Sequence, residues 1–382
     1  MRKKVTLSDI ASQLNLSVST VCRVLNNKGR FTAEVRQLVL KTALETGYLF
    51  SGSPLHSLSD TNRIAVIFPR NDMFWKDVER GICIASNALS RFGITIETYR
   101  TEGHNLTQQI QLLEDFLKRS DIAGIALVPA DFTQLDYYIN TLFLRGTAVV
   151  TFNVDSPMSK RLFYVGQNNI QGGRVAGEIF CKILGKKSRG KILVLSSNKK
   201  APSHLGRWQG LIDYVEDNEM ALDVSEVYEV GDEETTYQCV RDIILNKQGF
   251  LGVFMTTAFG NKGVGRALEE VGKNGLVIVS NDVTDEWIPY VEKGLIDFCL
   301  FQDPFLQGYL ALHALAGYVF MGKQPKQQTM YLPIILYTKE CLENSGVGVG
   351  ESLIQKLSWI EEKREESVAT KVARVSRKTQ TQ

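Results

Sequence analysis

The chain has 382 residues, 44% hydrophobic and 23% charged, which is enough for two or three domains with a sizeable core. No uninterrupted apolar run reaches membrane-spanning length, and the basic N-terminus lacks the apolar stretch of a secretion signal. A cytoplasmic protein with no membrane partner is therefore expected. Cys22, Cys83, Cys181, Cys239, Cys299 and Cys341 stand singly and the four histidines are dispersed, which argues against a disulfide framework or a zinc site. No metal and no cofactor is expected. The net charge of +2 divides unevenly: residues 1–50 carry +5, the last 32 residues +2 and the stretch between −5. A small basic end on an acidic body suits a phosphate-binding unit attached to a domain that stays off nucleic acid.

The first elements are short helices. Thr6 can cap a helix in which Ile10, Ala11 and Leu14 recur at helical spacing. Asn15-Leu16-Ser17 breaks that pattern, and Val21, Val24 and Leu25 resume it. Val18, Ser19, Thr20, Cys22, Arg23 and Asn26 then lie on or near the outer face of a second helix, as in a helix-turn-helix that reads the major groove. Any small helical bundle can share this spacing, but the longer string is more specific. V-T-L-x-D-I-A, L-S-V-S-T-V and R-V-L-N-N, continued by Phe31-Thr32, Val35-Arg36, Val39-Leu40 and Gly47-Tyr48, resembles the headpiece of the lactose-repressor/galactose-repressor family. The resemblance implies an all-α headpiece over residues 1–50 that binds double-stranded operator DNA. Its contacts would be Thr6, Ser17, Val18, Ser19, Thr20, Arg23, Asn26, Arg30 and Thr32.

Residues 51–62 form a Ser/Gly/Pro-rich linker. Members of that family usually continue with Pro-Asn and a short hinge helix whose leucine wedges into the minor groove. Here Phe50-Ser51 stands instead, and Leu55 and Leu58 do not keep the register. Ser53-Pro54 can start a short helix, and a flexible tether is the other reading.

From Arg63 the texture becomes strand-helix alternation. Strands are expected at 64–68, 94–99, 124–128, 148–152, 191–195, 253–255, 277–280 and 297–301. Amphipathic helices are expected at 75–92, 106–119, 172–184, 206–218, 236–246, 262–271 and 305–322. This order predicts an α/β body of two doubly wound parallel-sheet subdomains. The body resembles the periplasmic-binding-protein fold, most closely the ribose-binding type, which the same repressor family uses as its regulatory domain. The anchors are Ile64-Ala-Val-Ile, Phe74-Trp75 with Gly81, Val149-Val-Thr-Phe-Asn153, Asn168-x-x-x-Gly-Gly-x-x-Ala-Gly177, Arg207-x-x-Gly210, Asn281-Asp282 and Gln302-Asp-Pro-x-x-x-Gly308. The expected effector-binding body spans 63–345. Its first subdomain covers about 63–166 and 303–331, and its second about 167–302 and 332–345. Residues 346–382 are expected to form a C-terminal helix and a basic tail, with Leu353, Leu357 and Ile360 too few for a coiled coil.

In such a fold a ligand sits between the subdomains at the C-terminal ends of the strands. The resemblance implies Phe74 and Trp75 as a stacking pair and Arg207 as a fork of donors to hydroxyls. Asn153, Asp282 and Gln302 occupy strand ends or a crossover, and Asp72 and Thr257 complete the set. Two positions depart from the family: Asn153 lacks the charge of the usual Asp, and Thr256-Thr257-Ala258 replaces the frequent Asn-Asp. An aromatic pair after a strand can equally be core, and an Asp or Asn at a strand end can equally be a turn former.

The expected function is a sequence-specific transcriptional regulator, a repressor, acting as a homodimer under allosteric control by a carbohydrate. A sugar receptor of transport or sensing is the alternative. Enzyme activity is not expected, since no nucleotide P-loop, H-E-x-x-H or G-x-S-x-G occurs. Gly260-Asn-Lys-Gly-Val-Gly265 lacks the dinucleotide-binding order.

Overall fold

The computed structural model describes residues 5–25, 31–32, 35, 38–39, 42–43, 62–70, 73–90, 93–199, 201–246, 249–321 and 323–342. The linker over 51–61, the tail from 346, and Asn26, Arg30 and Asp72 lie outside these residues.

Two helices open the chain, α1 (Leu7–Leu14) and α2 (Val18–Leu25). Thr6 Oγ1 accepts from the Asp9 N–H (3.3 Å), and the Asp9 carboxylate accepts from the Thr6 N–H (2.8 Å), a reciprocal cap for α1. Asn15 ends α1 in the left-handed region at φ 56°, a conformation that asparagine tolerates. Ser17 Oγ then caps α2 by accepting from the Thr20 N–H (3.0 Å). Ile10, Ala11, Val21, Val24 and Leu25 are buried together.

The body alternates strands and helices. Its first run is β1 (Arg63–Arg70), α3 (Met73–Ser90), β2 (Thr95–Glu102), α4 (Leu106–Phe116), β3 (Ile122–Leu127), α5 (Phe132–Leu144), β4 (Ala148–Phe152) and β5 (Phe163–Gly166). The second is α6 (Asn169–Leu184), β6 (Arg189–Ser196), α7 (Pro202–Asp217), β7 (Ala221–Asp223), β8 (Val227–Glu229), α8 (Glu233–Asn246), β9 (Phe250–Met255), α9 (Asn261–Val271), β10 (Val277–Asn281), α10 (Ile288–Glu292) and β11 (Phe298–Phe301). Then follow α11 (Pro304–Met321), β12 (Thr329–Tyr331), β13 (Ile335–Tyr337) and α12 (Lys339–Leu342).

These strands make two sheets, ordered β12-β5-β4-β3-β1-β2 and β13-β11-β10-β9-β6-β7, with β8 also on β6. The first sheet is wholly parallel, and in the second only β13 runs antiparallel, against β11. Each sheet buries both faces under helices. In β1, Ile64, Val66 and Phe68 face a core built with α3 and α11, while Ala65 and Ile67 face one built with α4 and α5. In β6, Leu193 and Leu195 pack toward α8 and α9, and Ile192 and Val194 toward α6 and α7. Burial on both faces is why these strands read as continuous apolar runs. The chain passes between the two lobes three times: after β5, after β11 and after β12.

Each strand and helix expected over 64–322 is present, most with shifted ends, and the helix expected in 346–382 lies outside the described residues. Helix α5 and the short elements β5, β7, β8, α10, β12, β13 and α12 fall where none was expected. β5 has four residues, too short to set a period, and α5 is apolar on more than one face.

The helix pair α6–α7 is set by glycine. A Cβ at Gly173 would overlap the carbonyl of Arg207, and one at Gly210 the carbonyl of Ile170. The two backbones therefore touch, fixing the segment that carries Arg207. Gly173→Ala should force them apart and cost about 1–3 kcal/mol as overpacking, read as a lower midpoint in urea unfolding. An unchanged midpoint would mean that the helices separate freely.

Candidate functional site

At the N-terminal end, α2 buries Val21, Val24 and Leu25 and leaves Val18, Ser19 and Arg23 exposed. Val18 keeps 45% of its surface in solvent, a large apolar side chain held outward beside hydroxyls and a cation. Arg23 lies over the Phe31 ring, its guanidinium carbon 5.8 Å from the centroid. Ser17 and Thr20 share a hydroxyl hydrogen bond (2.8 Å) while capping the helix. Thr6 is occupied by its cap, and Thr32 Oγ1 accepts from the Val35 N–H (3.4 Å). The expected DNA-facing residues within the described part thus fall into two groups. Val18, Ser19 and Arg23 are presented, whereas Thr6, Ser17, Thr20 and Thr32 first serve helix starts.

Between the lobes, the C-terminal strand ends converge on a polar network. Asn153 follows β4, Asp282 follows β10, and Gln302-Asp303 follows β11. Asn153, Asp282 and Asp303 hold φ of 62°, 66° and 51°, and Asn or Asp pays least for that backbone. Asn153 Nδ2 donates to Gln307 Oε1 (3.1 Å), and Gln307 Nε2 to the Gln302 carbonyl (2.9 Å). Gln302 Nε2 in turn donates to Asp282 Oδ2 (2.9 Å). Arg207 comes from α7 and is almost wholly buried; its Nη1 donates to the Thr256 carbonyl (2.6 Å), and its Nε has no hydrogen-bond partner. Burial lowers the pKa of this guanidinium, while the charge of Asp282 and the Tyr164 hydroxyl act to hold its proton. The structure therefore brings Asn153, Arg207, Asp282 and Gln302 into one electrostatic and hydrogen-bonded unit across both lobes. Thr257 stands apart, its Oγ1 accepting from the Phe259 N–H (3.1 Å).

The aromatic pair sits at the start of α3. The Phe74 and Trp75 rings meet edge to face (5.0 Å), Trp75 stacks on Phe68 (6.4 Å), and the His104 ring abuts Trp75 (6.1 Å). Trp75 is buried and Phe74 half-buried, so the tryptophan doubles as core of the first lobe.

Sequence reasoning missed several groups. Gln307 is fully buried and links Asn153 to Gln302; it was an unspecified position inside the Gln302–Gly308 motif. Tyr164 donates its hydroxyl to the Asn153 carbonyl (2.9 Å), and burial raises its pKa. Gln167, at the first crossing, donates to the Phe301 carbonyl at the second (3.5 Å), while its Oε1 is buried without a partner. Burial lowers the pKa of His104 in the first lobe and of His204 in the second. His204 Nδ1 also lies 3.1 Å from Ser196 Oγ. Lone dispersed histidines carry no sequence signal, since only the fold buries them.

A cavity of about 180 Å³ opens beside this network, lined by Phe74, Lys76 and Arg80 of α3, Asp282 and Thr284 of the second lobe, and Pro304. Trp75, Arg207 and Gln302 do not line it and pack inward. Among the described residues no cluster of His, Cys, Asp and Glu is arranged to hold a metal ion, and no helix is long and apolar enough to cross a membrane.

Comparison with known proteins gives two family matches. Residues 64–324 match the periplasmic binding protein domain, and residues 6–50 match the bacterial regulatory proteins of the lacI family. Among solved structures, the chain is similar to a solute-binding protein of an ABC transporter from Burkholderia graminis in complex with D-arabinose. That pair has 21% identity and a TM-score of 0.67, over 75% of this chain and 99% of the other. GanP, a glucose-galactose binding protein from Geobacillus stearothermophilus, gives 21% identity and a TM-score of 0.65 over 74% and 99%. A candidate LacI transcriptional regulator from Bacteroides fragilis gives 16% identity and a TM-score of 0.66 over 75% and 100%. At these identities the likeness shows the fold.

His204 yields a pH dependence. Burial first, then Arg207, pulls the His204 pKa down from 6.5 to about 4. Between those values the folded chain binds fewer protons than the unfolded one, so stability falls as pH drops from 6.5 toward 4. Thermal melts across that window should show a shallower acid decline for His204→Gln than for wild type. Parallel declines would mean that His204 titrates freely.

Proposed function

The chain belongs to the periplasmic-binding-protein domain family and carries the lacI-family domain of bacterial regulatory proteins at its N-terminal end, and on that premise we propose a transcriptional repressor governed by a small polar ligand. The observation that carries the reading is the union, in one chain, of an outward-facing helix-turn-helix and a two-lobed binding fold whose strand ends converge on a buried arginine. A receptor of transport has no use for the first of these parts. The proposed activity is binding without catalysis.

In the proposed division, 1–50 read DNA, 51–62 link, 63–166 with 303–331 and 167–302 with 332–345 form the two subdomains, and 346–382 follow as a tail. Val18, Ser19 and Arg23 meet base edges and phosphates, with Thr6, Ser17, Thr20, Asn26, Arg30 and Thr32 at the margins. The effector is a sugar or sugar derivative held by Asp72, Phe74, Trp75, Asn153, Arg207, Thr257, Asp282 and Gln302. The sugar class is supported by two similar folds that bind arabinose and glucose or galactose. It is supported also by a site offering aromatic rings, planar amides and a guanidinium together. The effector acts by favouring one arrangement of the lobes over another.

A homodimer is proposed because one headpiece reads few base pairs, whereas two about one helical turn apart read a symmetric site. The full chain should select near-palindromic duplexes from a random pool, with two chains per duplex in sedimentation. Arg23→Ala should weaken that binding by about 1–3 kcal/mol with relaxed preference. If a chain lacking residues 1–60 enriches the same duplexes, the reading fails.

For the cleft, a thermal-shift screen of pentoses, hexoses and their phosphates identifies the sugar. Calorimetry with that sugar should then show Arg207→Ala weakened by about 2–3 kcal/mol, roughly 30- to 150-fold, with circular dichroism unchanged. Wild-type affinity in a folded variant would place the ligand elsewhere.

A further inference from the structure

Helix α5 is buried on two opposite faces. Leu135, Ile139 and Leu142 point into the core of the first sheet. At 100° per residue, Tyr137, Thr141 and Leu144 lie on the other side of the helix. On that outward side the helix begins exposed, at Thr133 and Gln134, and ends covered: Thr141 is 0% and Leu144 2% accessible. At Leu144 the cover comes from the N-terminal unit. Leu144 shares one apolar cluster with Ile10, Ala11, Val21, Val24, Leu25, Val39 and Ala43, and Tyr137 packs against it. Leu144 has no place in the core that holds its neighbour Leu142.

We propose that the outward face of α5 is a docking surface for the chain's own headpiece. The occupant is fixed by the apolar cluster that Leu144 and Tyr137 share with residues of the headpiece. Docking leaves Val18, Ser19 and Arg23 exposed, so a docked headpiece keeps its reading helix free. The first lobe thereby carries the headpiece through side-chain packing as well as through the covalent linker. This inference stands whatever the cleft binds.

The test is hydrogen exchange on the full-length chain, comparing wild type with Leu144→Asp and Tyr137→Ala. A docked headpiece gains stability from the contact by linkage. Losing a buried leucine should therefore speed exchange of the amides of residues 21–25 and 38–43 by about tenfold or more, with β3 and β4 unchanged. Tyr137→Ala should move the same amides in the same direction by less. Headpiece exchange at the wild-type rate in both variants overturns the proposal. Equal acceleration of β3 and β4 also overturns it, because Leu144 would then be a core residue of the lobe.

Discussion

A guanidinium withdrawn from water has to be answered by acceptors, and the answer given to Arg207 shapes the centre of this molecule. Its acceptor is a strand-end carbonyl, that of Thr256, and its counter-charge is Asp282 beyond a neighbouring strand. An isolated buried cation costs several kcal/mol, so these groups cannot drift apart while the arginine stays inside. Asp282 is tied through Gln302 and Gln307 to Asn153 in the other lobe. One buried charge thus reaches, through one electrostatic contact and three hydrogen bonds, from α7 to the end of β4. The glycine contact between α6 and α7 holds the arginine's own backbone.

The same arrangement explains what a ligand can do there. The guanidinium Nε and Gln167 Oε1 are buried donors or acceptors without protein partners, and such groups favour any molecule that satisfies them. The Asn153–Gln307–Gln302 chain spans both lobes, so a ligand that rearranged its hydrogen bonds would act on the lobe arrangement.

Much of this was legible in the chain itself. Parallel strands buried on both faces announce themselves as apolar runs, so the alternation and the two-sheet body could be read directly. Helix α5 escaped because an apolar stripe on each side cancels the single-sided period on which helix recognition rests, and the second stripe has a use that only the folded chain reveals. At the site, the strand-end residues were legible by type, but their roles were not. Asn153 and Asp282 answer a left-handed backbone as well as offering polar atoms. Gln307 was invisible because one of its partners lies far away in sequence, and the two histidines because only the fold buries them. Gln307 bonds to a residue 154 positions distant.

The three crossings between the lobes have a mechanical meaning. Two bodies joined by one strand can twist, slide and swing independently, whereas three ties side by side leave few ways to move without stretching one of them. As outer strands of the two sheets, the parallel β12 and the antiparallel β13 anchor the third tie by pairing with β5 and β11. The left-handed turn at Asp303 sits at the second tie. Relative motion of the lobes is thereby confined to something close to a single swing. A molecule of a few ångströms that alters that swing at the cleft alters it equally at the far end of the first lobe.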